Sequence, residues 1–168
     1  IGIERIRFVT SHPWDFTDKM IDVIASRENI MPYIHLPLQS GSNKILKLMG
    51  RRYTKEEYLE LFNKIRNKVK NASITTDIIV AFPGETEEDF NDTLDVVNTC
   101  KYDGAFTFIY SPRENTPAAK MKNDLTESEK EDRLHRLNEL VNKYSKESNE
   151  RMLNTIQKVL VIGVSEKD

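Results

Sequence analysis

The stretch ITTDIIVAFPGET, residues 74–86, decides the fold. Its first half is a β-branched apolar run, which is typical of a buried strand. Pro83 and Gly84 predict a tight turn, and Thr86 then caps a helix whose first turn is acidic at residues 87–89. A strand that passes through a short turn into an amphipathic helix predicts a parallel sheet covered by helices.

The same alternation of strand and helix extends in both directions from this stretch. Thr54 with Glu57 and Thr126 with Glu129 form capping boxes ahead of two helices, and Thr17 caps a third. Parallel strands need long crossovers, which these helices supply. We therefore predict an α/β fold with outer helices and four parallel strands, in an open sheet or in part of a barrel: Arg5–Val9, Tyr33–Leu38, Ile74–Phe82 and Ala105–Tyr110.

The C-terminal part of the sequence has a different pattern. The helix that Thr126 opens is long and charged, and we predict that it continues to about Asn154. Residues 156–164 then form one more apolar strand without a partner, which predicts the start of an all-β module. The predicted boundaries are 1–125, 126–155 and 156–168.

Composition places the chain among ordinary globular domains. Its 168 residues are 38% hydrophobic and 31% charged, which suits one domain with a core. No apolar run approaches the ~18 residues of a membrane span. Cys100 is the only cysteine, which excludes an internal disulfide and favours a reducing compartment. We predict a cytoplasmic location without membrane contact and, because strand-like sequence follows Ile1 at once, a longer parent protein.

Charge argues against a nucleic-acid binder that relies on overall attraction, since the net charge is −2. Residues 44–70 are an exception, with nine lysines and arginines against three glutamates. Such a basic stripe could attract phosphates. The alternative, which base rates favour, is a solvated helix face.

Polar residues, glycines and prolines follow every predicted strand. Ligands of parallel sheets bind where the strands end, so we predict a nucleotide-like ligand at this edge. Gln39 can donate and accept hydrogen bonds and Asp77 only accepts, which suits ribose hydroxyls, while Arg51 could hold a carboxylate. Structural alternatives remain: a turn role for Gln39, backbone amide contacts for Asp77, and compensation of a helix dipole for Arg51 and Arg52.

The histidines and the cysteine match no metal-binding motif. His35 lies in the middle of a predicted strand, so we expect a structural role for it, inward-facing or paired, and we expect Cys100 to be inert. The sequence therefore predicts neither metal ligands nor catalytic residues in this chain.

Five segments, in this order, resemble one known family. The matching strings are RIRFVTSHP, HLPLQSGS, LKLMGRRYT, TDIIVAFPGET and FIYSPRENTPA, at residues 5–13, 35–42, 46–54, 76–86 and 108–118. They are similar to the radical S-adenosylmethionine (SAM) methylthiotransferases, and the TSHP string is similar to the branch that modifies tRNA. The resemblance covers nearly the whole chain.

The resemblance implies a ligand and its contacts. SAM would bind across the strand ends, with Gln39 and Asp77 at the ribose and Arg51 at the methionine carboxylate. The segment around Ile79 and Phe82 would flank the adenine. Three further residues would lie near the methionine end or the sulfur-transfer path, namely Thr10, Ser11 and His12.

The resemblance also implies a fold and an activity for the complete protein. The fold would be an incomplete (β/α) barrel of the radical SAM type, followed from Ile156 by the first strand of a TRAM module, a small β-barrel that grips tRNA. The enzyme would use SAM, two 4Fe-4S clusters and an electron donor such as flavodoxin or ferredoxin. It would add a methylthio group to isopentenyladenosine beside the tRNA anticodon. The family's cluster cysteines form two groups of three, and Cys100 belongs to neither, so we predict that this chain alone is inactive.

Two other functions are compatible with the sequence. One is another radical SAM enzyme, such as a methylthiotransferase acting on threonylcarbamoyladenosine or on a ribosomal protein, or a porphyrin-pathway oxidase. The other is a cluster-free α/β module that only binds a nucleotide or RNA, which the shortage of cysteines favours.

Overall fold

The computed structural model describes residues 2–8, 12–161 and 163–164. Within these ranges the chain forms a three-stranded sheet and five α-helices. The strands are β1 (Tyr33–His35), β2 (Ser73–Val80) and β3 (Gly104–Ile109), and the helices are α1 (Asp18–Ser26), α2 (Asn43–Leu48), α3 (Lys55–Lys68), α4 (Glu87–Cys100) and α5 (Glu127–Glu150).

The sheet is parallel and its strands lie in chain order. β1 pairs with β2, and β2 pairs with β3. Gln39 extends the first pairing beyond β1, because its N–H donates to Asp77 O and its O accepts from Ile79 N–H. The prediction of parallel strands separated by helices is confirmed for these three strands.

The helix starts follow the predicted capping chemistry. The side chains of Thr54 and Thr126 accept from the backbone of Glu57 and Glu129, whose carboxylates bond back to the caps. Thr86 forms the same box with Asp89, and Thr17 accepts from Met20 N–H. These caps satisfy N–H groups that a helix leaves unpaired.

The two faces of the sheet differ in burial. On β2 the residues Ile74, Thr76, Ile78 and Val80 are buried, and they lie beneath the helices. The core contains aliphatic and aromatic side chains from four helices: Ile21, Ile24, Tyr58, Phe62, Ile65, Phe90, Val96, Val97, Leu137, Val141 and Tyr144. The opposite face carries the alternate residues Thr75, Asp77 and Ile79, and of these three only Thr75 is buried. No helix formed by the described residues has the length and apolar character that a bilayer crossing requires.

Two predicted strands are not found among the described residues. In place of Arg5–Val9 there is a single parallel bridge, between Ile6 and Ile30; residues 9–11 lie outside the described ranges. Residues 155–161 and 163–164 form no strand, and Ile156, Val159 and Val161 are exposed. A strand needs a neighbour for its ladder of hydrogen bonds, and neither segment has one that continues along its length. The TRAM module and the three boundaries remain predictions.

Candidate ligand-binding cleft at the strand ends

A cleft of about 900 Å³ lies where the strands end. Its size is within the range of small-molecule and cofactor sites. It is lined by five residues that the sequence singled out: Gln39, Arg51, Asp77, Ile79 and Phe82. The sixth, Ser11, and its neighbour Thr10 lie outside the described residues.

The segment between β1 and α2 places Gln39 at the cleft. Tyr58 Oη donates to Leu36 O at 2.8 Å and Tyr53 Oη donates to Leu38 O at 3.0 Å, so the backbone ahead of Gln39 is held from the helix side. Gln39 then adopts a left-handed conformation, with φ of 68°. This conformation is uncommon for a residue with a side chain, and the two backbone bonds to β2 hold it.

The turn after β2 places Phe82 and depends on a buried ion pair. Ala81 also has a positive φ, of 58°; its N–H donates to Glu85 Oε1 at 2.8 Å and its O accepts from Asn123 Nδ2 at 2.9 Å. Glu85 Oε1 in turn accepts from Arg133 Nη1 of α5 at 2.7 Å, with both side chains almost fully buried. Burial raises the pKa of the Glu85 carboxyl, against the hydrogen bonds from Ala81 and Arg133. Helix α5 thus supports one wall of the cleft.

Asp89 joins the two turns. Its Oδ1 accepts from Ser42 Oγ at 2.7 Å, and its Oδ2 accepts from Lys44 Nζ at 2.6 Å and from Thr86 N–H at 2.9 Å. Burial alone would raise the pKa of this carboxyl, but the three partners outweigh burial and the pKa lies below its usual range. The turns that carry Gln39 and Phe82 are therefore held in a fixed relation.

Gly41 allows the first turn to approach α4 closely. A Cβ at this position would lie 2.5 Å from Asp92 O and from Thr93 Cα. Its N–H donates to Thr93 Oγ1 at 2.9 Å. No other residue type fits without moving the helix.

Two buried polar atoms at the cleft have unmet hydrogen-bonding capacity. Among the described residues, three buried side-chain polar atoms lack a partner: Arg51 Nε, Tyr110 Oη and Glu85 Oε2. Arg51 and Tyr110 line the cleft. Burial raises the pKa of neighbouring Tyr53 to about 12, although the charge of Arg51 acts in the opposite direction. Unpaired buried donors are costly, so these two groups fit a ligand that offers acceptors.

An aromatic wall faces the polar residues. The rings of Phe82 and Tyr110 meet edge to face, with centroids 4.8 Å apart, and Phe108 and Ile79 continue the wall. Sequence reasoning missed Phe108 and did not assign Tyr110 to the ligand. The available signal was the alternation of residues 106, 108 and 110, which places them on the face of β3 that carries Asp77 on β2.

His12 lies outside the cleft lining. Its Nδ1 accepts from Trp14 N–H at 3.3 Å and its ring meets Tyr53 edge to face. This arrangement caps the short 3₁₀ helix Pro13–Asp15. The role near a methionine end remains a prediction.

The basic stripe of residues 44–70 is largely neutralised by ion pairs. Five of its nine cations have carboxylate partners within 4 Å: Lys44, Lys55, Lys64, Arg66 and Lys68. The interpretation as a solvated, paired helix face therefore fits better than a phosphate-binding stripe.

The chain does not fit a 4Fe-4S cluster. Such clusters are held by several thiolates, and the sequence has one cysteine. Cys100 is buried, and burial raises its pKa to about 11; it ends α4, about 20 Å along the helix from the cleft. No group of three or more potential ligands among the described histidines, cysteines and carboxylates could hold a metal ion.

The profile of the Radical SAM superfamily matches residues 1–97, which is more than half of the chain. The chain belongs to the radical SAM superfamily. The same residues contain Gln39, Arg51 and Asp77 of the cleft, and the other polar residues of the lining follow the matched part: Tyr110, Ser111, Arg113 and Thr116.

Two relatives match the whole chain or nearly all of it, and one solved structure matches its fold. The tRNA-2-methylthio-N6-dimethylallyladenosine synthase of Oceanobacillus iheyensis is 56% identical over the full chain, and that of Alkaliphilus oremlandii is 54% identical over 99% of it. The chain spans 32% and 36%, about a third, of these relatives' lengths. Coproporphyrinogen III oxidase of Escherichia coli, a radical SAM enzyme, has the same fold with a TM-score of 0.68 and 21% identity over 83% of the chain and 32% of its own. The α/β radical SAM fold is thus confirmed.

Proposed function

We propose that this chain forms the C-terminal half of the radical SAM domain of a tRNA methylthiotransferase and contributes residues to its SAM site. The proposal rests mainly on one observation: five residues chosen from the sequence line a single cleft in which Arg51 Nε and Tyr110 Oη lack partners. SAM has a carboxylate, a ribose diol and a flat base, and the cleft has two arginines, Arg51 and Arg113, two polar acceptors and an aromatic wall.

Each part of SAM is assigned to the residues whose chemistry suits it. Arg51 pairs with the methionine carboxylate, because a guanidinium matches a carboxylate in both charge and geometry. Gln39 and Asp77 accept from the ribose hydroxyls. Phe82 and Ile79 flank the adenine, where flat apolar contact is favourable. The chain's role is to bind and orient SAM and to exclude water from it.

The activity belongs to the longer protein. The names of the relatives support methylthiolation of N6-dimethylallyladenosine in tRNA, with isopentenyladenosine beside the anticodon as substrate and flavodoxin or ferredoxin as electron donor. In radical SAM chemistry the bound SAM supplies a carbon radical that removes hydrogen from an unreactive C–H bond. Since no residue set here fits the two 4Fe-4S clusters, their ligands lie outside this sequence, and this chain alone is inactive in that reaction. The proposed location is the cytoplasm.

Calorimetric titration of the 168-residue chain with SAM tests the proposal. We expect saturable binding, and we expect Gln39→Ala, Asp77→Ala and Arg51→Met each to weaken it by about 1–3 kcal/mol, the range for losing a hydrogen bond, including one to a charged group. Arg52→Met is the matched control, since Arg52 is the adjacent arginine and is exposed. It should leave the affinity unchanged.

Two results would count against the proposal. An absence of SAM binding would refute it. Equal losses of SAM affinity in Arg51→Met and Arg52→Met would show that only general charge matters. Titration with ATP distinguishes the second candidate, a nucleotide-binding module without clusters, which the single cysteine favours. Tighter binding of ATP than of SAM would support that candidate.

A further inference from the structure

A line of polar side chains crosses the face of the sheet opposite the helices and ends at the cleft. Tyr33 and His35 are alternate residues of β1, and Thr75 and Asp77 are alternate residues of β2. The parallel register pairs His35 with Thr75. Alternate residues of a strand share a face, so the four side chains lie side by side on the face opposite the helices.

The distances connect these four groups in sequence. Tyr33 Oη and Thr75 Oγ1 are 3.3 Å apart, and Thr75 Oγ1 is 2.9 Å from His35 Nδ1. His35 Nε2 is 3.2 Å from Asp77 Oδ2. The line ends at the cleft, because Asp77 is one of its lining residues.

The carboxylate of Asp77, at the cleft end of the line, determines which ring nitrogen of His35 donates. An ionised carboxylate only accepts, so His35 Nε2 must carry the proton that faces Asp77. In a neutral imidazole Nδ1 is then an acceptor, and Thr75 donates to it. The same hydroxyl can instead donate to Tyr33 Oη, 3.3 Å away, so the two bonds that Thr75 can donate are alternatives.

Burial and ring contacts hold His35 in place. Its side chain is 18% exposed, against 30% for Asp77, and the ring of Phe106 meets it edge to face with centroids 6.2 Å apart. At the outer end the guanidinium of Arg7 lies 4.3 Å above the ring of Tyr33. The line therefore has the guanidinium of Arg7 over its outer end and the carboxylate of Asp77 at the cleft.

We propose that His35 is a positioning residue for ribose recognition: it fixes one oxygen of Asp77, so that the carboxylate's remaining lone pairs face the ribose diol of the bound adenosyl ligand. This proposal rests on the proposed function. Without His35 the carboxylate can rotate about its side-chain torsion, and binding must then restrict that rotation.

Nuclear magnetic resonance tests the orientation without any ligand. Two-bond ¹H–¹⁵N correlations of the imidazole at neutral pH should show His35 with its proton on Nε2. Thr75→Val, which keeps the shape and removes the hydroxyl, should weaken that preference. A proton on Nδ1 in the wild-type chain would overturn the proposed direction.

Ligand titrations test the positioning role. His35→Leu should weaken SAM binding about 10-fold, as expected for losing a polar contact to a charged group. His35→Gln, whose amide nitrogen can replace Nε2, should restore affinity to within about 3-fold of wild type. Adenosine should lose affinity in His35→Leu, whereas 2′,3′-dideoxyadenosine, which lacks the diol, should bind both proteins equally.

A second histidine provides the matched control. On α5, His135 Nε2 lies 3.3 Å from Glu139 Oε1 in an exposed pair, so His135→Leu removes a similar contact away from the cleft and should leave SAM binding unchanged. If wild type binds SAM and His35→Leu binds it equally well, the positioning role is wrong and the proposed function stands. If wild type does not bind SAM, both are wrong.

Discussion

Glu85 and Asp89 lie four residues apart around the start of α4. Glu85 supports the turn after β2 and Asp89 joins the two turns of the cleft, yet their environments shift the pKa values of the two carboxyls in opposite directions. Glu85 has a close guanidinium, and its pKa is raised by burial. Asp89 is also buried, but its pKa is lowered. Two differences separate them. The Glu85 side chain is 1% exposed and its Oε2 has no partner, whereas the Asp89 side chain is 10% exposed and both of its oxygens accept hydrogen bonds.

At Glu85 one ion pair does not offset nearly complete burial, whereas at the less deeply buried Asp89 a complete set of donors does. It also fixes opposite pH dependences. The Asp89 pKa is depressed, so its contribution to the free energy of unfolding is present above the usual value of 3.8 and is lost as pH falls towards the folded pKa. The Glu85 pKa is raised, so its contribution is present below the usual 4.5 and is lost as pH rises through the folded pKa.

Substitution of Arg133 should cause the largest loss in the free energy of unfolding. Arg133→Met leaves the buried Glu85 carboxylate without its counter-charge, and we expect a loss of about 3–5 kcal/mol in the free energy of unfolding at pH 7. Because Glu85 can take up a proton instead, the loss should be smaller at pH 5 than at pH 8. Urea denaturation at the three pH values measures both.

Arg136 is the matched control for this substitution. It lies three residues further along α5 and pairs with Glu87 at 2.7 Å in a partly exposed position. Arg136→Met should lower the free energy of unfolding by under ~1 kcal/mol. Equal losses in the two variants would show that the buried pair has no special role.

Gly41→Ala should have the next largest effect. The added Cβ would meet backbone atoms of α4 at 2.5 Å, and this clash should move the helix that carries Asp89 away from Ser42. We expect a loss of about 3 kcal/mol, the upper end of typical overpacking, measured by urea denaturation. In Gly104→Ala the new Cβ would meet only Thr75 Cγ2, at 3.6 Å, so little change is expected; a similar loss there would contradict the close-approach argument.

Asp89→Asn should test the fully bonded carboxylate. Losing the charge weakens the bonds from Lys44, Ser42 and Thr86, and we expect about 2 kcal/mol less stability at pH 7. The deficit should shrink as pH falls below 3.8, where the wild-type chain begins to lose the same contribution. The urea midpoint as a function of pH checks this; parallel curves for the two proteins would refute it.

The smallest change in the free energy of unfolding is expected for an exposed ion pair on the outer face of the helices. Lys68 pairs with Asp22 at 2.5 Å, but the two side chains are 48% and 61% exposed. Lys68→Ala should therefore change the free energy of unfolding by about 0.5 kcal/mol or less. A loss as large as that of Asp89→Asn would mean that exposure is not what separates these pairs.

Sequence predicted the parts of the fold that depend on near neighbours. The caps at Thr54, Thr86 and Thr126 involve partners three residues away, so they could be predicted without a tertiary structure. Gln39, Asp77 and Phe82 could be placed at one edge because strand ends of a parallel sheet share a side.

What the sequence could not supply depends on distant partners. Arg133 meets Glu85 across 48 positions, and the contact of His35 with Asp77 depends on the register of β1 against β2. The strands predicted at Arg5–Val9 and after Ile156 have suitable composition, but composition does not show whether a neighbouring strand is available.

The buried thiol of Cys100 gives the chain a chemical reporter of its own opening. Only a thiolate is alkylated readily, and with a pKa of about 11 and 4% exposure this group is protected in the native state. Iodoacetamide should modify it only when α4 separates from the sheet, so the alkylation rate follows the population of open molecules. Because the sequence has no second cysteine, one mass increment counts those events without an introduced label.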